Sequence, residues 1–111
     1  MKTNTAQLDE LFTALSSSRR REMVQFLSFR PATVKQLAEE TNLSFPAIHK
    51  HIRTLEDAQL ILRKKVGRTN FVALNKSSLK CVQDWVMQYH TYWGNNEETL
   101  ENYISSMQEN K

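Results

Sequence analysis

Two glycines and two prolines in 111 residues constrain this chain more than any other feature. Gly67, Gly94, Pro31 and Pro46 leave long stretches without a residue that interrupts a helix, which favours a mainly helical chain over a turn-rich all-β one. The length allows a single domain, residues 1–111, with one modest core. A doubly wound nucleotide-binding sheet or a large α/β barrel does not fit. A partner chain would add buried area that so small a core lacks. The single cysteine, Cys81, excludes an intramolecular disulfide framework and an all-cysteine zinc site within one chain. The longest apolar run, Phe71 to Leu74, is too short to cross a bilayer, and no signal-peptide-like stretch opens the sequence. No membrane insertion and a cytoplasmic location are expected.

Apolar periodicity lays out the elements. Leu8, Leu11, Phe12 and Leu15 recur at helical spacing and give a first helix over 6–16. The serines at 16–18 can cap a second helix from Ser18 to Phe29, with Met23, Val24 and Leu27 inward and Pro31 at its end. Thr33-Val34-Lys35-Gln36 has the spacing of a capping box. It opens a short third helix with Val34, Leu37 and Ala38 inward, stopping near Asn42. Ser44 caps a fourth helix, with Pro46 in the first turn where a missing N–H costs nothing. Helix, short turn, helix over 33–58 is the outline of a helix-turn-helix. Two β-prone runs, 62–66 and 70–74, flank Gly67-Arg68-Thr69 and predict a β-hairpin over 62–74. A last helical pattern covers 77–108. Leu79, Val82, Val86, Tyr89, Trp93, Leu100, Tyr103 and Met107, with Asn96 the one polar exception between Trp93 and Leu100, fall on one stripe of alternating three- and four-residue steps, which predicts a helix–helix seam and hence a dimer. Gly94-Asn95-Asn96 marks a kink or a break in that helix.

On the fourth helix, at about 100° per residue, Ile48, Ile52 and Leu55 point to the core. Pro46, Lys50, Arg53 and, to one side, His49 point away, and His51 lies near the apolar edge. Lys, Arg and His on the outer face of such a helix suit insertion into a major groove, where long side chains reach base edges and phosphates. A solvated helix face often carries the same residues. The hairpin shifts the balance, because Arg63, Lys64, Lys65 and Arg68 crowd it with no acid among them. Such a ribbon can follow the phosphate backbone or enter a minor groove. Residues 44–76 hold 7 basic and 2 acidic side chains, and residues 77–111 hold 2 and 5, so the charge is segregated.

The run Leu43-Ser44-Phe45-Pro46-Ala47-Ile48-His49-Lys50-His51, preceded by Thr33 to Glu39 and followed by Leu55-Glu56-Asp57-Ala58, resembles the ArsR family of bacterial winged-helix repressors. The Ser18-Arg19-Arg20-Arg21 start of the second helix, the wing and the helix around Trp85 resemble it too. The likeness covers about residues 6–108. It implies a winged helix-turn-helix, mainly α with a small hairpin, in a homodimeric repressor of a palindromic operator in double-stranded DNA. The first and last helices would build the dimer, through Leu8, Leu11, Val82, Val86, Tyr89, Trp93, Leu100 and Tyr103. The DNA-facing set is Ser44, Phe45, Pro46, His49, Lys50, Arg53, Lys64, Lys65, Arg68 and Thr69. Phe45 and His49 depart from the family pattern, where small polar residues are commoner, which bears on the operator and not on binding. Arg20 and Arg21 are expected on DNA backbone or in a helix-face salt bridge, and His51 is expected to be structural.

Metal sensing is not expected. The third helix lacks Cys and His, and Asp84 and His90 on the last helix are six apart, on different faces. No cofactor is implied, and neither a nucleophile–His pattern nor a phosphate-binding loop supports catalysis. The aromatics Trp85, Tyr89, Tyr92, Trp93 and Tyr103 fit packing better than a ligand pocket. The alternative is a winged-helix adaptor whose basic face meets an acidic protein. Effector and operator are not specified by the sequence.

Overall fold

The computed structural model describes residues 5–89 and 96–109. Four helices come first: α1 (Thr5–Leu15), α2 (Ser18–Phe29), α3 (Val34–Thr41) and α4 (Phe45–Asp57). A two-residue strand, β1 (Ala32–Thr33), lies between α2 and α3, and β2 (Ile61–Val66), β3 (Thr69–Leu74), α5 (Lys76–Met87) and α6 (Asn96–Glu109) complete the order.

Side-chain caps set the helix boundaries. Ser17 accepts from the Arg20 N–H at the start of α2. Thr33 and Gln36 form a reciprocal capping box at α3, each accepting from the other's backbone N–H. Asn42 ends α3 in the left-handed region at φ 55°, a conformation that Asn tolerates well. Ser44 accepts from the Ala47 N–H to open α4. These fixed ends leave only the turn Asn42–Ser44 between α3 and α4, which sets the angle of the second helix.

The core gathers one face from each early element. Leu11, Met23, Leu37, Ile48, Ile52, Leu55, Leu60 and Val72 are its fully buried large side chains. Leu11 belongs to this interior and has no exposed surface, so it packs the core and not the dimer face expected of it. Its neighbour Leu8 remains half-buried.

The sheet has three antiparallel strands in the order β1-β3-β2, not two. Ala32 pairs with Val72 and Thr33 with Phe71. A two-residue strand has no periodicity to read, so the sequence does not announce it. The hairpin turn is also tighter than expected. Thr69 pairs with Val66, so Gly67 and Arg68 alone make the turn. Gly67 takes φ +62°, the first central position at which two-residue hairpins favour glycine.

The last helical segment is two helices. α5 stops at Met87, with Gln88 and Tyr89 closing it through bonds to Trp85 and Val86 carbonyls. The single stripe predicted through Tyr89 therefore ends with α5 and restarts in α6. His90, Tyr92, Trp93 and Gly94 lie outside the described residues. Phe12 of α1, Trp85 and Tyr89 form an edge-to-face aromatic series at 5.3 and 5.1 Å, so these aromatics pack α5 onto α1. Val86, Met87, Tyr89, Leu100, Tyr103, Ile104 and Met107 are exposed. Among the described residues, no helix is long and apolar enough to cross a membrane.

Candidate nucleic-acid interface

Burial of Ile48, Ile52 and Leu55 pins one face of α4 to the core. The opposite face then has to point outward. Phe45, Pro46, His49, Lys50 and Arg53 are all exposed there, together with the cap Ser44. The Phe45 and His49 rings lie one turn apart, with centroids 6.3 Å apart and planes 26° from parallel.

The hairpin register sorts the basic residues of β2. Arg63 stands opposite buried Val72 and reaches Glu56 of α4 at 3.1 Å, so its charge is already engaged. Lys65 stands opposite Asn70, on the same face as Arg63, whereas Lys64 stands opposite Phe71 on the other face. The two lysines, adjacent in sequence, thus leave the ribbon on different sides. Arg68 occupies the turn. With Thr69 it meets Phe45 and His49 of α4 and Thr33 and Lys35 at the start of α3 around an open cleft of about 520 Å³. The wing tip and the leading end of α4 therefore form one continuous surface. Sequence reasoning missed Lys35. The available signal was its place two residues after the capping Thr33, in the first turn of α3 and off the face that Val34 and Leu37 bury.

Arg20 and Arg21 do not join this surface. Arg20 donates to the Ala14 carbonyl at 2.6 Å, the Thr13 carbonyl at 3.1 Å and His51 Nδ1 at 3.2 Å. Arg21 donates to the Leu15 carbonyl at 2.7 Å. Both guanidinium groups satisfy carbonyls at the C-terminal end of α1, where a helix has no partners of its own. The expected DNA contact and the expected helix-face salt bridge are both replaced by this cap. The helix-face ion pair of α2 belongs instead to Arg19 and Glu22, at 3.4 Å.

Because a guanidinium only donates, His51 must accept through Nδ1 and carry its proton on Nε2. Burial, then the charges of Arg20 and Arg19, hold His51 below its ordinary value of 6.5. It is neutral and structural at neutral pH, a link between α2 and α4 behind the exposed face.

A core drawn from four helices, a capped helix pair with a short turn, and a basic hairpin reaching the leading end of the second helix of that pair define a winged helix-turn-helix fold. The family profile for bacterial regulatory proteins of the arsR family matches residues 17–62, from the α2 cap to the start of β2. The transcriptional repressor SdpR of Bacillus subtilis is 27% identical over 82 residues, covering 74% of this chain and 91% of SdpR. The crystal structure of an ArsR family transcriptional regulator superposes with a TM-score of 0.74 at 35% identity, over 79% of this chain and 91% of the other. A homodimeric winged helix-turn-helix DNA-binding domain from Mycobacterium bovis shares the fold, with a TM-score of 0.63 at 16% identity over 78% and 87% of the two chains. The chain belongs to the ArsR family of transcriptional regulators.

Proposed function

We propose that this regulator is a homodimeric repressor that reads a twofold-symmetric operator through α4. The carrying observation is the shared surface of α4 and the wing tip. Lys50 and Arg53 are exposed on the helix, Arg68 faces the same cleft as His49, and the nearby Glu56 carboxylate is taken up by Arg63. α4 enters the major groove, with Ser44, Phe45, Pro46 and His49 leading. Lys50 and Arg53 reach bases or phosphates, and Arg68 and Thr69, with either Lys64 or Lys65, flank the duplex. The register makes Lys64 and Lys65 alternatives on opposite faces rather than a joint contact.

The homodimer is supported by exposed Val86, Met87, Tyr89, Leu100 and Tyr103, which a second copy would cover. The repressor function of SdpR and the homodimeric state of the M. bovis domain point the same way. In a twofold dimer, two copies of α4 meet successive major grooves about 34–36 Å apart. With about five phosphate contacts per subunit, log affinity falls with log salt at a slope of roughly −9.

Selection from random duplex DNA with the full chain tests the reading. A twofold-symmetric motif, bound by a species of dimer mass in light scattering, is expected. No enriched motif, or affinity flat across ionic strength, would refute it and favour an adaptor that meets an acidic protein.

A further inference from the structure

Phe45 is the first residue of α4 and is 56% exposed, with no part in the core. An isolated exposed aromatic carries little meaning, but this one is not isolated. His49 lies one turn on with its ring close to parallel, and the two rings form a shelf at the leading end of the helix. Around the shelf stand donors and cations: Lys35 and Arg68 across the cleft, and Lys50 exposed on the next position of α4. The cations suit phosphates and the polar edges of bases. Phe45 itself has no donor or acceptor, so it can discriminate only an apolar group.

In the major groove the four ordinary bases offer one such group, the C5-methyl of thymine. Resting on the reading of α4 as the groove-entering helix, we infer that Phe45 reads a thymine methyl in each half-site, with His49 holding the Phe45 ring in place. Phe45 is thus a specificity-determining residue, and a fixed thymine in each half-site is the consequence.

The test uses the full chain and the operator returned by selection. Each thymine of one half-site, and then its symmetry mate, is replaced by deoxyuridine, which removes the methyl and nothing else. Loss of one buried methyl is worth about fourfold, so replacement in both half-sites weakens binding by about fifteenfold at one thymine position. Other positions change less than about twofold. Phe45→Ala binds the thymine and uridine operators equally, and His49→Ala narrows the difference. Both positions are exposed, and a melting curve for each variant checks the fold.

Three results overturn the inference while leaving the DNA-binding reading intact. They are a symmetric motif without a fixed thymine, uniform tolerance of uridine by the parent protein, and a Phe45→Ala variant that still discriminates. Absence of any selected motif overturns both. The uridine comparison uses the unaltered protein, so it holds even if a variant fails to fold.

Discussion

Replacing Arg20 by alanine is expected to destabilise the protein while sparing the DNA-facing surface. The side chain makes three bonds, and two of them, to the Ala14 carbonyl and to His51 Nδ1, are partly buried. The third, to the Thr13 carbonyl, is exposed, so water can replace it at little cost. A bond from a charged donor contributes about 1–1.5 kcal/mol in partly buried settings, so the loss comes to about 2–3 kcal/mol. For a chain of this length each kcal/mol moves the midpoint by about 4 °C, giving a fall of about 8–12 °C in Tm. That is a large part of the ~5–15 kcal/mol available to a small domain. Arg20→Lys keeps the charge but lacks the planar fork, and recovers less than half of the loss. Thermal and urea unfolding followed by circular dichroism would measure this, at one fixed protein concentration because the stability of the proposed dimer would depend on concentration. A variant melting within about 2 °C of the parent but failing to bind DNA would refute the reasoning, since Arg20 would then be a phosphate contact and not a clamp between helices.

Three further outcomes are expected. The folded protein holds His51 below 6.5, so it binds fewer protons than the unfolded chain just below that pH. Stability is therefore full above 6.5 and declines as pH falls through 6.5 toward the lowered folded value. His51→Asn keeps an acceptor near Arg20 without titrating, and its Tm should fall less than that of the parent between neutral and mildly acidic pH; parallel losses would dismiss the link. Gln59 sits in the left-handed region at φ 58°, where it closes α4, and Gln59→Gly should raise stability by about 0.5–1 kcal/mol in urea unfolding. A decrease would mean that the Gln side chain contributes more than its backbone costs. Lys50→Ala with Arg53→Ala should leave Tm within about 2 °C of the parent but lower operator affinity and reduce the salt slope of the dimer by up to about 4. Unchanged binding would move the recognition surface elsewhere.

Much of the fold is legible because its boundaries are local. Ser44, the Thr33–Gln36 box and Pro31 act within one helical turn of themselves, and periodicity then assigns Ile48, Ile52 and Leu55 to the core. Exposure of Lys50 and Arg53 follows from the same wheel. The features that escaped are those made by distant partners. β1 exists because Ala32 and Thr33 meet Val72 and Phe71 some forty residues later. Arg20 looks like any surface arginine until α1 and α4 are placed beside it. Leu11 shares its stripe with Leu8, but only the packed structure separates an inward position from a rim. The cleft joining Lys35 to Arg68 likewise depends on how the wing folds back on α3.

β3 is the middle strand, which leaves the far side of β2 as a free edge. Unpaired edges recruit strands from other molecules unless something opposes them. On β2 the exposed Leu62 and Val66 supply the stickiness, and Arg63, Lys64 and Lys65 sit between them. Two such edges brought together would set Lys64 and Lys65 against their copies over the middle of the strand, Arg63 being paired with Glu56. The basic run is therefore expected to oppose edge-to-edge growth of the sheet, independently of any duplex it meets. Neutralising the wing is thus expected to carry two separable penalties: weaker operator binding, and precipitation at protein concentrations the parent tolerates.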